Sequence, residues 1–338
     1  MTNHVAPDLV AAVPVVVIGF KRLAPLIRVL EATRVNHNGP IYVMLDHPRP
    51  GRPNELSECA EVRSWVGAWK QGQTNVVVKE MEVNLGVSRA MPAAIDWVFS
   101  EGHESVIVLE EDCLPAPDFF GFMDAMLKRF ADDERVMMVS GDQFVPEPMV
   151  RTLESSYYFS RYIHIWGWAT WKRAWRHYDH DMNQLDDPLL KTDLRALFPR
   201  DAEAKTFGKI WAGQRGNDDD TAWASRWMLA CLAQSGLCVC PSANLVRNIG
   251  FDSDSTHTRY ASRYQVAGLD RLHEPLKDPA SVLPWRLGDE WWFDHMISKH
   301  PFARVRRRIL KVDPTVVPDR VSPTAVPDGT ESSKEGSS

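Results

Sequence analysis

The sequence predicts an α/β protein, a mostly parallel central sheet flanked by helices. Three observations predict it. Short apolar runs rich in β-branched residues recur at 15–18, 41–45, 75–78, 105–109 and 136–139. Apart from Asn75 and Ser105 at their starts they are continuously apolar rather than alternating, as in strands buried on both faces. Between them lie stretches with apolar residues at helical spacing, so strand and helix alternate four times.

Residues 1–13 read as a loose leader. The strand at 15–18 ends at Gly19-Phe20-Lys21-Arg22, and Leu23, Leu26, Ile27 and Leu30 then follow helical spacing. Asp46 closes the strand at 41–45. A Pro- and Gly-rich loop covers 47–53, and a helix is predicted over 55–69. After the strand at 75–78, Asn84-Leu-Gly-Val-Ser-Arg89 turns into a helix with the stripe Val87, Met91, Ala94, Ile95 and Val98. The strand at 105–109 follows. Pro115, Pro117 and Asp118 then break the chain and start a helix lined by Phe119, Met123, Met126, Leu127 and Phe130. Ser140-Gly141 closes the strand at 136–139.

The second half is less regular. Residues 156–159 read as a strand and are followed by the run His164-Ile-Trp-Gly-Trp-Ala-Thr-Trp171. Residues 179–216 are polar and read as helix with loops. Asn217-Asp-Asp-Asp220 precedes a helix striped by Trp223, Trp227, Ala230 and Cys231, and 237–240 reads as a last core strand. Residues 244–257 form a Gly-, Ser- and Asp-rich loop. Residues 313–338 are dominated by Pro, Ser, Thr and Gly, and disorder is expected there.

The 338 residues suit one large domain or two small ones, and a net charge of -6 gives no support to nucleic-acid binding. Cys59, Cys113, Cys231, Cys238 and Cys240 are few, odd in number and set in apolar runs, which suggests reduced thiols and a cytoplasmic protein. No stretch reads as a signal peptide or approaches the roughly 20 apolar residues of a membrane span. Ten of 13 tryptophans follow residue 160, so the second half suits stacking on sugar rings or a Trp-rich core.

Glu110, Glu111 and Asp112 stand together at the carboxyl end of the fourth strand. Ligands of open α/β sheets bind beyond such ends. Three adjacent acids repel one another unless a cation offsets them, and a divalent ion carrying a diphosphate would do so. A solvated acidic turn is the plain alternative. No Gly-x-Gly-x-x-Gly follows the first strand and there is no Walker-type lysine loop, so dinucleotide binding lacks its main support.

The run 106–120, with Glu110-Glu-Asp-Cys-Leu-Pro-Ala-Pro-Asp-Phe-Phe120, resembles the acidic motif of N-acetylglucosaminyltransferase I-type enzymes, which have the GT-A fold. Residues 15–22 are similar to their first nucleotide-contacting strand and loop, and Ser88-Arg89 with its helix to the one before their acidic motif. The run 163–171, and Asn244-Leu-Val-Arg-Asn-Ile-Gly-Phe251 followed by Thr256-His257, look closer to bacterial sugar transferases of surface polysaccharide clusters. The match spans about residues 14–258. It implies one GT-A domain over 1–312, with a nucleotide-sugar half at 14–141 and an acceptor half at 155–300.

The resemblance implies an inverting transfer of a hexosyl or N-acetylhexosaminyl group from a UDP-sugar to a glycan or lipid-linked acceptor, helped by Mn²⁺ or Mg²⁺. Carried over by position, Asp112 matches the direct metal ligand. Glu111 stands where the family has an Asp near the ribose and metal waters. Asp46 matches the acid at the uracil edge and Arg22 the basic residue of the first loop. Arg89 and Glu110 join the donor set. The catalytic base is an Asp just before a Trp-containing helix, for which Asp218, Asp219 and Asp220 compete, Asp220 first and Asp219 next; capping of that helix is their other reading. His257 is a second metal ligand or diphosphate contact, or else structural. Trp166 and Trp168 floor the acceptor site or pack the sheet. The basic segment from Arg304 to Lys311 touches anionic lipid or is a solvated end. The competing classes are a nucleotidyltransferase that makes nucleotide sugars and a non-catalytic carbohydrate-binding protein.

Overall fold

A computed structural model describes residues 12–217, 222–250, 269–272 and 275–298. Its strands are β1 Val15–Gly19, β2 Ile41–Leu45, β3 Val76–Glu80, β4 Ser105–Glu110, β5 Cys113–Pro115, β6 Val136–Ser140, β7 Tyr157–Ser160, β8 Trp168–Trp171, β9 Leu237–Pro241 and β10 Val246–Asn248. Its helices are α1 Leu23–Asn36, α2 Pro53–Lys70, α3 Gly86–Ser100, α4 Phe119–Arg129, α5 Glu147–Val150, α6 Lys172–Trp175, α7 Pro188–Thr192, α8 Asp201–Gln214 and α9 Trp223–Ala233, with a further helix at Arg286–Trp292.

One eight-stranded sheet runs in the order β3-β2-β1-β4-β8-β6-β9-β7. β1 pairs in parallel with β2 and β4, β2 with β3, and β6 with β9. β8 is antiparallel to both β4 and β6, and β7 to β9. β1 to β4, β6 and β9 therefore point one way, and their carboxyl ends share one edge. The mostly parallel, helix-flanked sheet expected from the alternation is present.

Side chains alternate between two cores, as the strand period of two requires. Val16, Ile18, Met44, Val106, Val108 and Trp168 face one cluster, closed by α3, α8 and α9. Val15, Val17, Val43, Ile107, Leu109 and Ala169 face the other, closed by α1, α2 and α4. The apolar stripe read for α3 is its buried face: Met91, Ala94, Ile95 and Val98 are fully enclosed.

Three strands go beyond those expected from the sequence. β8 lies in the sheet's centre, where Trp, Thr and Ala suit a pleated buried surface. Trp168 is 0% exposed and stacks on Trp223 with ring centroids 5.5 Å apart, so it packs the sheet and is no floor for an acceptor. β5 and β10 form a two-stranded antiparallel ribbon within stretches read as turn and loop. All five cysteines are free and buried. No described helix is long and apolar enough to cross a membrane. Residues 304–311 and 313–338 lie outside the described residues.

Candidate active site

The carboxyl edge of the sheet gathers the β1 loop, the β4 acids and the β5–β10 ribbon. Glu110 continues the row of Val106 and Val108 and therefore points to the α3 side. Burial, then the charges of Asp112 and Glu111, push its carboxyl up to about 8. Glu111 is buried. One carboxylate oxygen accepts from the Phe20 N–H at 2.5 Å and the other from Arg22 Nε at 2.5 Å. Asp112 is more open. Its Oδ2 accepts from Arg22 Nη2 at 2.8 Å, while among the described residues its Oδ1 has only the Asn248 amide at 3.4 Å and the Cys113 thiol at 3.8 Å.

Arg22 is thus the cation paired with Glu111 and Asp112. Burial works against its charge, and Glu111 and Asp112 more than restore it, so its pKa is raised. The loop carrying it is anchored elsewhere too. Lys21 bonds Glu55 at 3.2 Å, and Arg49 bonds the same carboxylate. These contacts hold the β1 loop against the end of β4 without a ligand.

The β10 arm covers the pair. Ile249 N–H donates to the Asp112 carbonyl at 2.8 Å, and Gly250 N–H to Asn248 Oδ1 at 2.8 Å. Gly250 lies so close that an added Cβ would strike Asp112 Oδ2 and sit 2.8 Å from Arg22 Nη1. A side chain at this position would have to displace the Asp112 carboxylate or the Arg22 guanidinium. Farther back, Gly167 has φ +59°, and a Cβ there would meet Val246 at 2.6 Å and Phe119 at 3.1 Å. Gly141 N–H donates to the Gly167 carbonyl at 2.7 Å, and Leu245 N–H to the Gly141 carbonyl at 2.9 Å, which ties the arm to β6.

Asp46 has both oxygens engaged, by the N–H groups of Leu85 and Gly86 at 2.9 Å each and by Asn84. It satisfies orphan donors at the start of α3. Arg89 follows in the first turn, within electrostatic reach of Tyr178 and His180. Trp166 is half-buried and meets Phe144 edge-on at 5.1 Å. Asp218, Asp219, Asp220 and His257 lie outside the described residues.

The sequence reading passed over Asp142, which is 1% exposed and follows β6 at the same edge. It lies 3.1 Å from His164 Nδ1, accepts from Ser140 Oγ at 3.0 Å and accepts from the Trp166 N–H at 2.9 Å. It fixes the entry to β8 and with it the backbone of Trp166. Its place after a parallel strand was the available signal. Asn248 and Gly250 stood within a motif already noted, yet nothing local showed them reaching Asp112.

The fit to a divalent ion rests on Asp112. Among the described residues no cluster of three or more His, Cys, Asp or Glu side chains forms a ligand set. A single carboxylate suits an ion that takes its other ligands from phosphates and water. Asp112 Oδ1, which has only long contacts among the described residues, meets that requirement.

No protein family and no curated protein match the chain. Solved structures do. GalNAc-T7 crystallised with UDP, GalNAc and Mn²⁺ matches at 11% identity over 89% of this chain and 48% of that one, TM-score 0.40. TarS 1-349 of S. aureus matches at 10% identity over 74% and 68%, TM-score 0.40. UDP-glucose pyrophosphorylase with UDP-glucose matches at 8% identity over 68% and 90%, TM-score 0.35. The chain spans about half the length of the first of these. Overlaps of this extent carry no residue role or activity across to this chain.

Proposed function

We propose that the protein is a metal-dependent, inverting glycosyltransferase of the GT-A type. It moves a hexosyl or N-acetylhexosaminyl group from a UDP-sugar to a glycan or lipid-linked acceptor, in surface polysaccharide synthesis at the cytoplasmic side of a membrane. The observation that carries this is the meeting of the β1 loop with the β4 acids, where Arg22 bridges Glu111 and Asp112 at the carboxyl edge. A diphosphate needs cationic groups at a strand end, and this edge supplies both a guanidinium and an acid able to hold a metal.

In this reading Asp112 would hold Mn²⁺ or Mg²⁺, which would supply Lewis-acid stabilisation of the departing diphosphate. Glu111 keeps Arg22 and the Phe20 backbone in place beside it. Asp46 acts through the turn it holds, setting the start of α3 and Arg89. Trp166, fixed by Asp142, offers an indole to the acceptor side. The proton of the acceptor hydroxyl goes to a carboxylate from another element, and Asp220 or Asp219 heads the sequence for that role. His257 remains the second candidate for the ion or the diphosphate.

The test is calorimetric titration of UDP with and without Mn²⁺, followed by a screen of UDP-sugars for UDP release. Wild type should bind UDP in a Mn²⁺-dependent way and Asp112→Ala should not, with its circular dichroism unchanged. Equal metal-dependent binding by both proteins refutes the assignment of Asp112. Binding by neither refutes the transferase reading.

A further inference from the structure

Arg22 forms two ion pairs that differ in kind. Its Nε contact with Glu111 is fixed from both sides. Glu111 is buried, and its other oxygen is committed to the Phe20 N–H. The Nη2 contact with Asp112 is looser. Glu111 and Asp112 are similarly covered, at 9% and 13% side-chain exposure, but the other Asp112 carboxylate oxygen has, among the described residues, only long contacts at 3.4 and 3.8 Å. One half of the fork is an anchor and the other can be exchanged.

A divalent ion on Asp112 would lie within a few ångströms of the guanidinium. Two cations so close repel strongly unless anionic phosphate stands between them. Arg22 cannot withdraw far, because Glu111 holds its Nε. It can only turn about that bond, which moves Nη2 off Asp112.

We infer that the Arg22 guanidinium and a divalent ion are alternative partners of the Asp112 carboxylate, with Glu111 as the pivot that keeps Arg22 in the site in both states. The inference rests on the proposed donor site and adds to it an internal cation that competes with the metal. With metal alone, Arg22 opposes loading. With a nucleoside diphosphate present, the displaced guanidinium gains phosphate oxygens as new partners, so metal and nucleotide bind with positive cooperativity.

The test titrates the full chain with Mn²⁺ alone, following the free-ion signal by electron paramagnetic resonance. Arg22→Met and Arg22→Gln should each bind Mn²⁺ roughly tenfold tighter or more than wild type, as expected on removing a nearby unit charge after solvent screening. Asp112→Asn added to either variant should abolish the gain. In wild type, UDP should tighten Mn²⁺ binding, and in both Arg22 variants that enhancement should shrink. Melting in EDTA gives a second readout. Both variants should be destabilised, and Mn²⁺ should restore them more than it stabilises wild type. Unchanged Mn²⁺ affinity in both variants overturns the exchange, and so does absence of Mn²⁺ binding in every form. If the variants gain Mn²⁺ affinity but no form binds UDP, the exchange stands and the transferase reading falls. If wild type binds UDP with Mn²⁺ while Arg22 variants match its affinity for Mn²⁺ alone, the reverse holds.

Discussion

Replacing Glu110 by Gln should make the protein more stable at pH 8 than wild type. Burial, with Asp112 and Glu111 alongside, raises the Glu110 carboxyl from 4.5 to about 8. The folded state therefore holds a proton that the unfolded chain releases between those values. Wild-type stability from this group is fully present below about 4.5 and is lost as pH rises through about 8. At roughly 1.4 kcal/mol per unit, the whole shift corresponds to at most about 5 kcal/mol. Water entry and relaxation at the strand end reduce it, leaving about 2–4 kcal/mol. At roughly 2 °C per kcal/mol for a chain of this size, the melting difference is about 4–8 °C. Gln keeps the shape and has no charge to bury. Urea unfolding of both proteins in EDTA, from pH 5 to pH 8, should show near-equal stability at the low end and a growing advantage for Glu110→Gln above. Asp289, which burial raises to about 6, titrates in both proteins and cancels in the difference. A gap that does not change with pH, or a variant weaker at pH 8, would refute the argument.

Three further outcomes are expected, the first two from the geometry and the third from the sequence alone. Trp168→Ala should cost about 3–5 kcal/mol in urea unfolding, because the indole is fully enclosed, whereas Trp166→Ala should cost far less and act on acceptor KM. Gly167→Ala should cost about 2–4 kcal/mol, combining a left-handed backbone with overpacking against Val246, and should weaken UDP binding as the β10 arm shifts. Asp219→Asn and Asp220→Asn, made separately with Asp218→Asn as a control, should leave UDP affinity intact while one lowers turnover by roughly 10²- to 10⁴-fold; near-normal turnover in all three would move the base elsewhere.

The long elements were legible because each carried its own periodicity: continuous apolar runs for β1 to β4, and helical stripes for α3, α4 and α9. β5 and β10 were not, since a three-residue strand is defined by its partner and theirs are more than a hundred residues apart. The acid triplet stood out as a local charge pattern. Its counter-ion did not, because Arg22 lies 90 residues from Asp112 and no local rule pairs them. Asp46 shows the opposite case. A strand-end acid looks like a ligand group in sequence, yet its oxygens serve the N–H groups of a turn 39 and 40 residues on. Trp168 and Trp166 sit two apart and read alike, but the strand places one in the core and the other at the rim.

The position of β8 also governs when this chain can fold. β4 and β6 lie either side of β8 and pair with it rather than with each other. As the chain leaves the ribosome, β1 to β4 can assemble from neighbouring segments, but β6 must wait for residues 168–171. Until then two strands present bare inner edges, the kind of surface that recruits other chains. A fragment ending near residue 150 would keep that state permanently. The stretch 14–141, read from sequence as the nucleotide-sugar half of a single domain, should therefore aggregate when expressed alone and become soluble only when a segment carrying β8 is supplied.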